Sequence, residues 1–559
     1  MITIGPGHKL NIELVRAIAV ERAPVALAPS THDMLAERRR QIVEFVTRTG
    51  IPAYGFNRGF GHNVGTAVPA DKLADLQRNL IRSHASGLGD PAPVPVVRAA
   101  MVLRAHSLAQ GASGIRPVVV ETLVAWLNND ITPIVPRFGS VGASGDLAPL
   151  SHIARALLGE GSVIHNEQIV PAASALSAAG ISPLVLEMKE GLALNNGVQF
   201  STAWGLMSLI ECENLLRTAA IATALSTQVL LGADTPFAPE LHALRPHPGA
   251  VAVAGWITAL MANSPLRELH REAADDNRVQ DPYSLRCSAQ ILGTVHDLLS
   301  EARRTFEIEI NSVTDNPLLL SQPTDAGATF TRIVSGGHFH GMPVAVKLYN
   351  LMQSLAIMAS LSNTRCARFV DEARNVGLGS DLIWTLLDPG DRATSSGMML
   401  AEYASAALTN FIWGAAMPSH LFSIATDAGQ EDHVSMSAGL AVRVAETIPR
   451  LAEAIGIELA FAAQAAAIRT ASSALPIGPR GHLPVPPECR TLSAISEQIL
   501  SEIRTVFPTV TNDRPLGDEL SAVAEKVRRG DFVRLVPATM WDSTSASALE
   551  AKSHDALQN

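Results

Sequence analysis

The segment 139–152, GSVGASGDLAPLSH, places Gly139, Gly142 and Gly145 beside Ser140, Ser144 and Asp146. Glycine density of this kind suits a phosphate-wrapping loop, but a Walker A loop needs Gly-Lys followed by Ser or Thr, and no lysine is present. A hydrolase elbow needs GxSxG, and Asp146 stands where the last glycine of Gly142-Ala143-Ser144-Gly145 would be required. From local sequence alone, an ordinary capped turn with Asp146 opening a helix remains open beside any catalytic reading. His338 and His340 invite a metal reading, but two histidines at i,i+2 with no spaced carboxylate form a weak ligand set, and no metal is expected.

The elements that must hold such a loop read as helices. Leu440, Val444, Ile448, Leu451, Ile455 and Leu459 recur by threes and fours, a stripe that buries one face of a long helix. Pro449 should kink that helix or mark a frayed junction, because proline removes a ladder hydrogen bond. A second helix is expected to begin near Ser30, with Asp33 as capping-box partner, and to end at Gly50-Ile51-Pro52. Its run Arg38-Arg39-Arg40 reads as a solvated face. Gly- and Pro-rich punctuation gathers at 50–62, 86–95, 132–149, 320–343 and 474–487. Without internal repeats or an alternating strand-helix rhythm, the fold class is mainly α.

Composition narrows the function. The 559 residues carry 43 Lys+Arg against 53 Asp+Glu, a net charge of -10 that argues against nucleic acid as partner. At 47% hydrophobic and 17% charged the chain can bury a large core, and its alanine-rich apolar share suggests closely packed helices. Length over 150 sets a soft upper bound of roughly four domains. The four cysteines, Cys212, Cys287, Cys366 and Cys489, stand far apart, which fits a reducing compartment better than a disulfide framework. No secretion signal is expected from MITIGPGHKLNIELVR. The apolar stretch between Arg217 and Asp234 is 16 residues long, short of a bilayer span, so no membrane partner is expected.

Ala143-Ser144-Gly145 within its loop resembles the signature of the aromatic amino acid ammonia-lyases. The likeness continues in order through AYGFNRGFG (53–61), NLIRSHASG (79–87), EGLALNNGVQ (190–199), QDPYSLRC (280–287), SVTDNPLL (312–319), GGHFHGMPVA (336–345) and GQEDHVSMS (429–437). The resemblance implies that Ala143, Ser144 and Gly145 condense into 4-methylidene-imidazol-5-one (MIO), with no bound organic cofactor or metal. Glycine permits the tight turn in which the Gly145 nitrogen meets the Ala143 carbonyl. It implies further that Tyr54 removes the β-proton, which requires cationic or hydrogen-bonding neighbours to depress its ordinary pKa of about 10. Asn196 would bond the MIO carbonyl, and Arg286 would pair bidentately with the substrate carboxylate. Tyr283 and Gln280 would line the site, with Asn316 as polar support and Phe339 shaping the pocket near the MIO. Fold and assembly follow from the same likeness: an ammonia-lyase/fumarase-aspartase-like helical bundle, an MIO-bearing domain over 1–200, a long-helix domain over 201–535, and a cytoplasmic homotetramer with shared sites. Residues 536–559 read as a flexible polar tail.

Three features within the likeness point to histidine as substrate. Ser83-His84 stands where phenylalanine and tyrosine enzymes carry Phe-Leu or His-Leu, Glu431 where phenylalanine enzymes have Gln, and Met399 where plant-type phenylalanine enzymes have lysine. A carboxylate can hold an imidazole N–H but is costly to bury beside a phenyl ring. The expected reaction is elimination of ammonia from L-histidine to give trans-urocanate. The alternatives are an ammonia-lyase or 2,3-aminomutase acting on tyrosine, phenylalanine or a modified histidine, and a silent structural paralogue. Arg58, Asn195 and His338 depart from the family pattern, with Arg58 a candidate for binding a second acidic group and His338 for changing pocket polarity.

Overall fold

The computed structural model describes residues 1–271, 280–324, 327–477 and 481–542. Helix makes up 61% and strand 7%, the mainly α class expected. The chain forms two compact units. The first comprises 1–208, 301–349 and 418–445, and the second 209–300, 350–417 and 446–559. Domain limits at 200 and 535 are expected from the sequence, and by packing the chain passes between units at 208, 300, 349, 417 and 445. Four of these points fall inside the long helices Gln199–Val229, Ser288–Ile310, Met342–Val370 and Ser437–Ala471, where periodicity carries no mark of a boundary.

The first unit is centred on the helix Val94–Ala109, whose residues from Val96 to Ala109 are all buried, Arg98 and Arg104 included. Arg98 donates to the Ile18 and Leu127 carbonyls at 3.2 Å, satisfying a cation that would otherwise be costly to bury. Thr31–Thr49 ends at left-handed Gly50, as expected. Ser30 makes no side-chain cap bond, however, so the expected capping box does not form. Arg39 is also buried rather than solvated. It donates to the Gly114 and Met188 carbonyls and to Glu187 at 2.9–3.0 Å, because that helix face lies under the chain at 114 and 187–188. Small antiparallel strands at Thr132–Pro133, Ser162–His165 and Gln168–Pro171 complete this part of the unit.

In the second unit, Pro248–Leu260 and Ser288–Ile310 approach so closely that a Cβ on Gly249 would lie 2.0 Å from the Gly293 carbonyl oxygen. Contacts of this kind need small residues, in keeping with the alanine-rich composition. Phe369 stacks on Phe461 with centroids 5.9 Å apart. Buried Arg365 donates through two nitrogens to Glu458 and through a third to the Ser284 carbonyl.

The stripe from Leu440 to Leu459 is buried throughout. The helix Ser437–Ala471 runs through Pro449 as one element, exposing Glu446 and Arg450 on its outer side. Beyond Arg450 almost every residue is buried, so the one-sided burial expected of the stripe holds only for its first half. This helix and Met342–Val370 are long and apolar enough to cross a bilayer by length and composition, but the apolar window of Ser437–Ala471 is 94% buried within the chain, as in a core helix. Ala538–Trp541 adds a last helical turn, and residues 543–559 of the expected tail lie outside the described residues.

Candidate active site

The loop at 139–146 is bent by partners from distant parts of the first unit. The Ser435 hydroxyl donates to the Gly142 carbonyl at 2.9 Å, and Met436 N–H donates to the Val141 carbonyl at 2.8 Å. Gly145 sits at φ +75 and pairs with Gly197. A Cβ on Gly145 would lie 2.2 Å from the Gly197 carbonyl oxygen, so only glycine fits. The buried Asp146 carboxylate accepts from Phe200 N–H at 2.8 Å, Ser201 N–H at 2.9 Å and the Ser201 hydroxyl. Asp146 therefore caps Gln199–Val229 and not the helix that follows it in sequence, which starts at Ala148 behind Leu147. Burial pushes its carboxyl up to about 6, against these hydrogen bonds, which favour the charged form.

Asn196 ends the short helix Glu190–Asn195 and donates to the Ser144 carbonyl at 2.9 Å. Its turn is braced by buried Arg104, which donates to Gln199 Oε1 at 3.0 Å and to the Ala193 carbonyl. The Ser144 hydroxyl donates to Glu431 Oε1 at 2.6 Å, and the Thr426 hydroxyl holds Glu431 Oε2 at 2.6 Å. These residues fit an MIO. The glycine that closes the ring cannot carry a Cβ, a donor already faces the carbonyl that the ring would keep, and the serine that would lose water is held by its hydroxyl.

A cavity of about 670 Å³ opens onto Ala143 and Ser144, and Tyr54, His84, Asn196, Asn316, Phe339 and Glu431 also line it. Asn316 Oδ1 accepts from Gly336 N–H at 2.8 Å. The Ser83 hydroxyl donates to the Leu80 carbonyl and lies 3.0 Å from His84 Nδ1. Burial lowers the His84 pKa, favouring the neutral ring.

Tyr54 accepts a 3.2 Å hydrogen bond from Gly61 N–H and meets Phe60 edge-on. The sequence reading requires a depressed phenol, and the chain does the reverse. Burial raises the Tyr54 pKa, the Gly61 bond offsets this in part, and the charges of Asp427 and Glu431 raise it further. Among the described residues, the charges that act on Tyr54 are the carboxylates of Asp427 and Glu431.

Gln280 and Arg286 line a second cavity of about 500 Å³ within the second unit, with Arg286 donating to Gln280 Oε1 at 2.8 Å and lying 4.8 Å over the Tyr283 ring. Tyr283 is exposed, and Met399 opens the helix Met399–Ala415 of the same unit. Arg58 turns to the Gly65 carbonyl at 3.0 Å, bracing its own loop. Asn195 is buried and donates to the Ser151 hydroxyl at 3.1 Å, while His338 is exposed and outside the cavity lining. His340 faces the His433 carbonyl at 3.0 Å. Asp427 is a cavity residue that sequence reading missed. It lies just upstream of GQEDHVSMS, but nothing local ties it to Gly61, against which its carboxylate packs.

A family model described as aromatic amino acid lyase matches residues 10–485. The chain belongs to that family. It is 40% identical over 526 residues to a histidine ammonia-lyase of Bradyrhizobium diazoefficiens, covering 94% of each chain. Among solved structures it resembles tyrosine aminomutase from Streptomyces globisporus, with a TM-score of 0.84 and 31% identity over 96% of this chain and 98% of that one. It also resembles histidine ammonia-lyase from Trypanosoma cruzi, with a TM-score of 0.80 and 29% identity over 97% of each. The lyase has the ammonia-lyase/fumarase superfamily fold and is a carbon–nitrogen lyase. Its family uses an MIO made from its own chain.

Proposed function

We propose that this lyase eliminates ammonia from L-histidine to give trans-urocanate, with an MIO formed from Ala143, Ser144 and Gly145. The observation that carries the substrate reading is Glu431, a carboxylate held against Ser144 in a cavity shared with His84. A carboxylate there can accept an imidazole N–H, whereas a phenyl ring offers it no donor. When formed, the MIO supplies an electrophilic methylidene carbon for the substrate amine. Asn196 stabilises charge gained on the carbonyl oxygen it already faces. Tyr54 takes the β-proton as a phenolate, which requires substrate binding to offset burial and the carboxylates around it. Asn316 and Phe339 hold and shape the substrate within the same cavity.

Arg286, with Gln280 and Tyr283, binds the substrate carboxylate from another copy of the chain, and Met399 comes to the site in the same way, in a cytoplasmic homotetramer with shared sites. Support for the assembly comes from the exposed Leu400, Tyr403, Phe411 and Trp413 on the helix Met399–Ala415, a large apolar surface for a single chain. The cysteines, all unpaired, support a reducing compartment. Growth of urocanate absorbance with L-histidine, absent in Ser144→Ala, tests the proposal. Turnover retained by Ser144→Ala would refute the electrophile, and a β-amino acid product or a preference for tyrosine would favour the aminomutase reading.

A further inference from the structure

Three elements meet at the cavity: the loop at 53–61 brings Tyr54, the helix Leu73–His84 ends in His84, and the helix Glu190–Asn195 ends at Asn196. One fully buried side chain joins all three. Gln77 lies on Leu73–His84, and its Nε2 donates to the Gly55 carbonyl, next to Tyr54, at 3.0 Å. Its Oε1 accepts from Gly191 N–H at 3.0 Å and Leu192 N–H at 3.4 Å, at the start of the helix that carries Asn196. A second donor, Lys189 N–H, meets the same Gly55 carbonyl at 2.9 Å, which fills both of its lone pairs. The packing is close on every side: a Cβ on Gly55 would lie 2.6 Å from Leu192 Cδ2, and one on Gly191 would lie 2.7 Å from the Gln77 carbonyl oxygen.

We propose that Gln77 is a positioning residue that sets Tyr54 in register with Asn196, and so governs proton removal rather than substrate binding. This rests on the reading of Tyr54 as the base. The amide is suited to the task because it donates and accepts at once. A carboxylate in its place can accept from the helix but has no proton for Gly55, and a methionine of similar length does neither. Displacement of a reacting group by about 1 Å can cost on the order of 100-fold in rate. No carboxylate-binding group is touched by the change, so binding is spared.

The test is steady-state turnover of L-histidine and its β-deuterated form by wild type, Gln77→Glu, Gln77→Met and Tyr54→Phe, with rates expressed per MIO from the near-ultraviolet absorbance. Gln77→Glu keeps the acceptor for the helix N–H groups and guards against a folding failure in Gln77→Met. The expected result is a kcat lowered by about 10- to 100-fold in both Gln77 variants, a KM within about threefold of wild type, and a β-deuterium isotope effect at or above the wild-type value. Unchanged kcat per MIO, a loss confined to KM, or an isotope effect falling toward unity would overturn the proposal while Tyr54→Phe stays inactive. Full turnover by Tyr54→Phe would overturn the base assignment itself, and the proposal with it.

Discussion

Replacing Gly145 by alanine tests the geometry of the tripeptide directly. At φ +75 an L-residue is strained by roughly 1–2 kcal/mol. The new Cβ would lie 2.2 Å from the Gly197 oxygen, 2.4 Å from its carbonyl carbon and 2.5 Å from its nitrogen, all of them backbone atoms. The two segments must part by roughly 1 Å to reach ordinary contact. That movement breaks the 2.7 Å bond from Asp146 N–H to the Gly197 carbonyl. An unmade buried hydrogen bond costs about 1–3 kcal/mol, so the expected destabilisation is roughly 2–5 kcal/mol. The loss should be accompanied by failure to form the MIO, because the Gly145 nitrogen moves with the backbone. Urea unfolding gives the first quantity and near-ultraviolet absorbance the second. Gly517→Ala, at a position with open space around it, is the control and should shift stability by less than about 0.5 kcal/mol. A Gly145→Ala protein that unfolds at the wild-type urea concentration and carries a full complement of MIO would refute the reasoning.

The remaining predictions concern charge. Burial, with help from Asp427 and Glu431, raises the Tyr54 pKa, so kcat/KM should climb with pH as the phenolate forms. Asp427→Asn removes one raising charge and should move that limb to lower pH, and a limb that stays put or moves up contradicts the assignment. Asp146 is held at about 6 by burial against a usual 3.8, so the folded chain binds more protons than the unfolded chain between these values. Its contribution to stability should therefore fall as pH rises through that window and flatten above about 6, a slope that unfolding midpoints should show reduced in Asp146→Asn. Glu431→Gln should lower kcat/KM for L-histidine by at least about 100-fold and for phenylalanine by much less. Equal losses for both substrates would remove Glu431 from the choice of substrate.

Legibility from sequence followed the range of the contacts involved. The helix stop at Gly50 depends on its own neighbours and was readable in place. The stripe from Leu440 to Leu459 was readable as a helix, but its all-round burial past Arg450 depends on residues packed against it from elsewhere. The same limit explains Arg39, whose partners lie 75 and 149 residues away, and Asp146, whose capped helix begins more than fifty residues on. Family likeness singled out Tyr54, Ser144, Asn196 and Glu431, and the chain brings them to one cavity. It offered nothing on the sign of the Tyr54 pKa shift, which depends on burial and on carboxylates reaching the phenol from 427 and 431.

The bonds around 139–146 also bear on when, during synthesis, the lyase becomes reactive. The groups that bend this loop come from Gly197, Gly341, Ser435 and Met436, and the Ser144 hydroxyl waits on Glu431. Residue 436 of 559 must leave the ribosome before the last of them is present. On the proposed reading, a nascent chain would carry Ala143-Ser144-Gly145 as an inert tripeptide until those groups are in place, and the electrophile would arise only once the loop is bent against them.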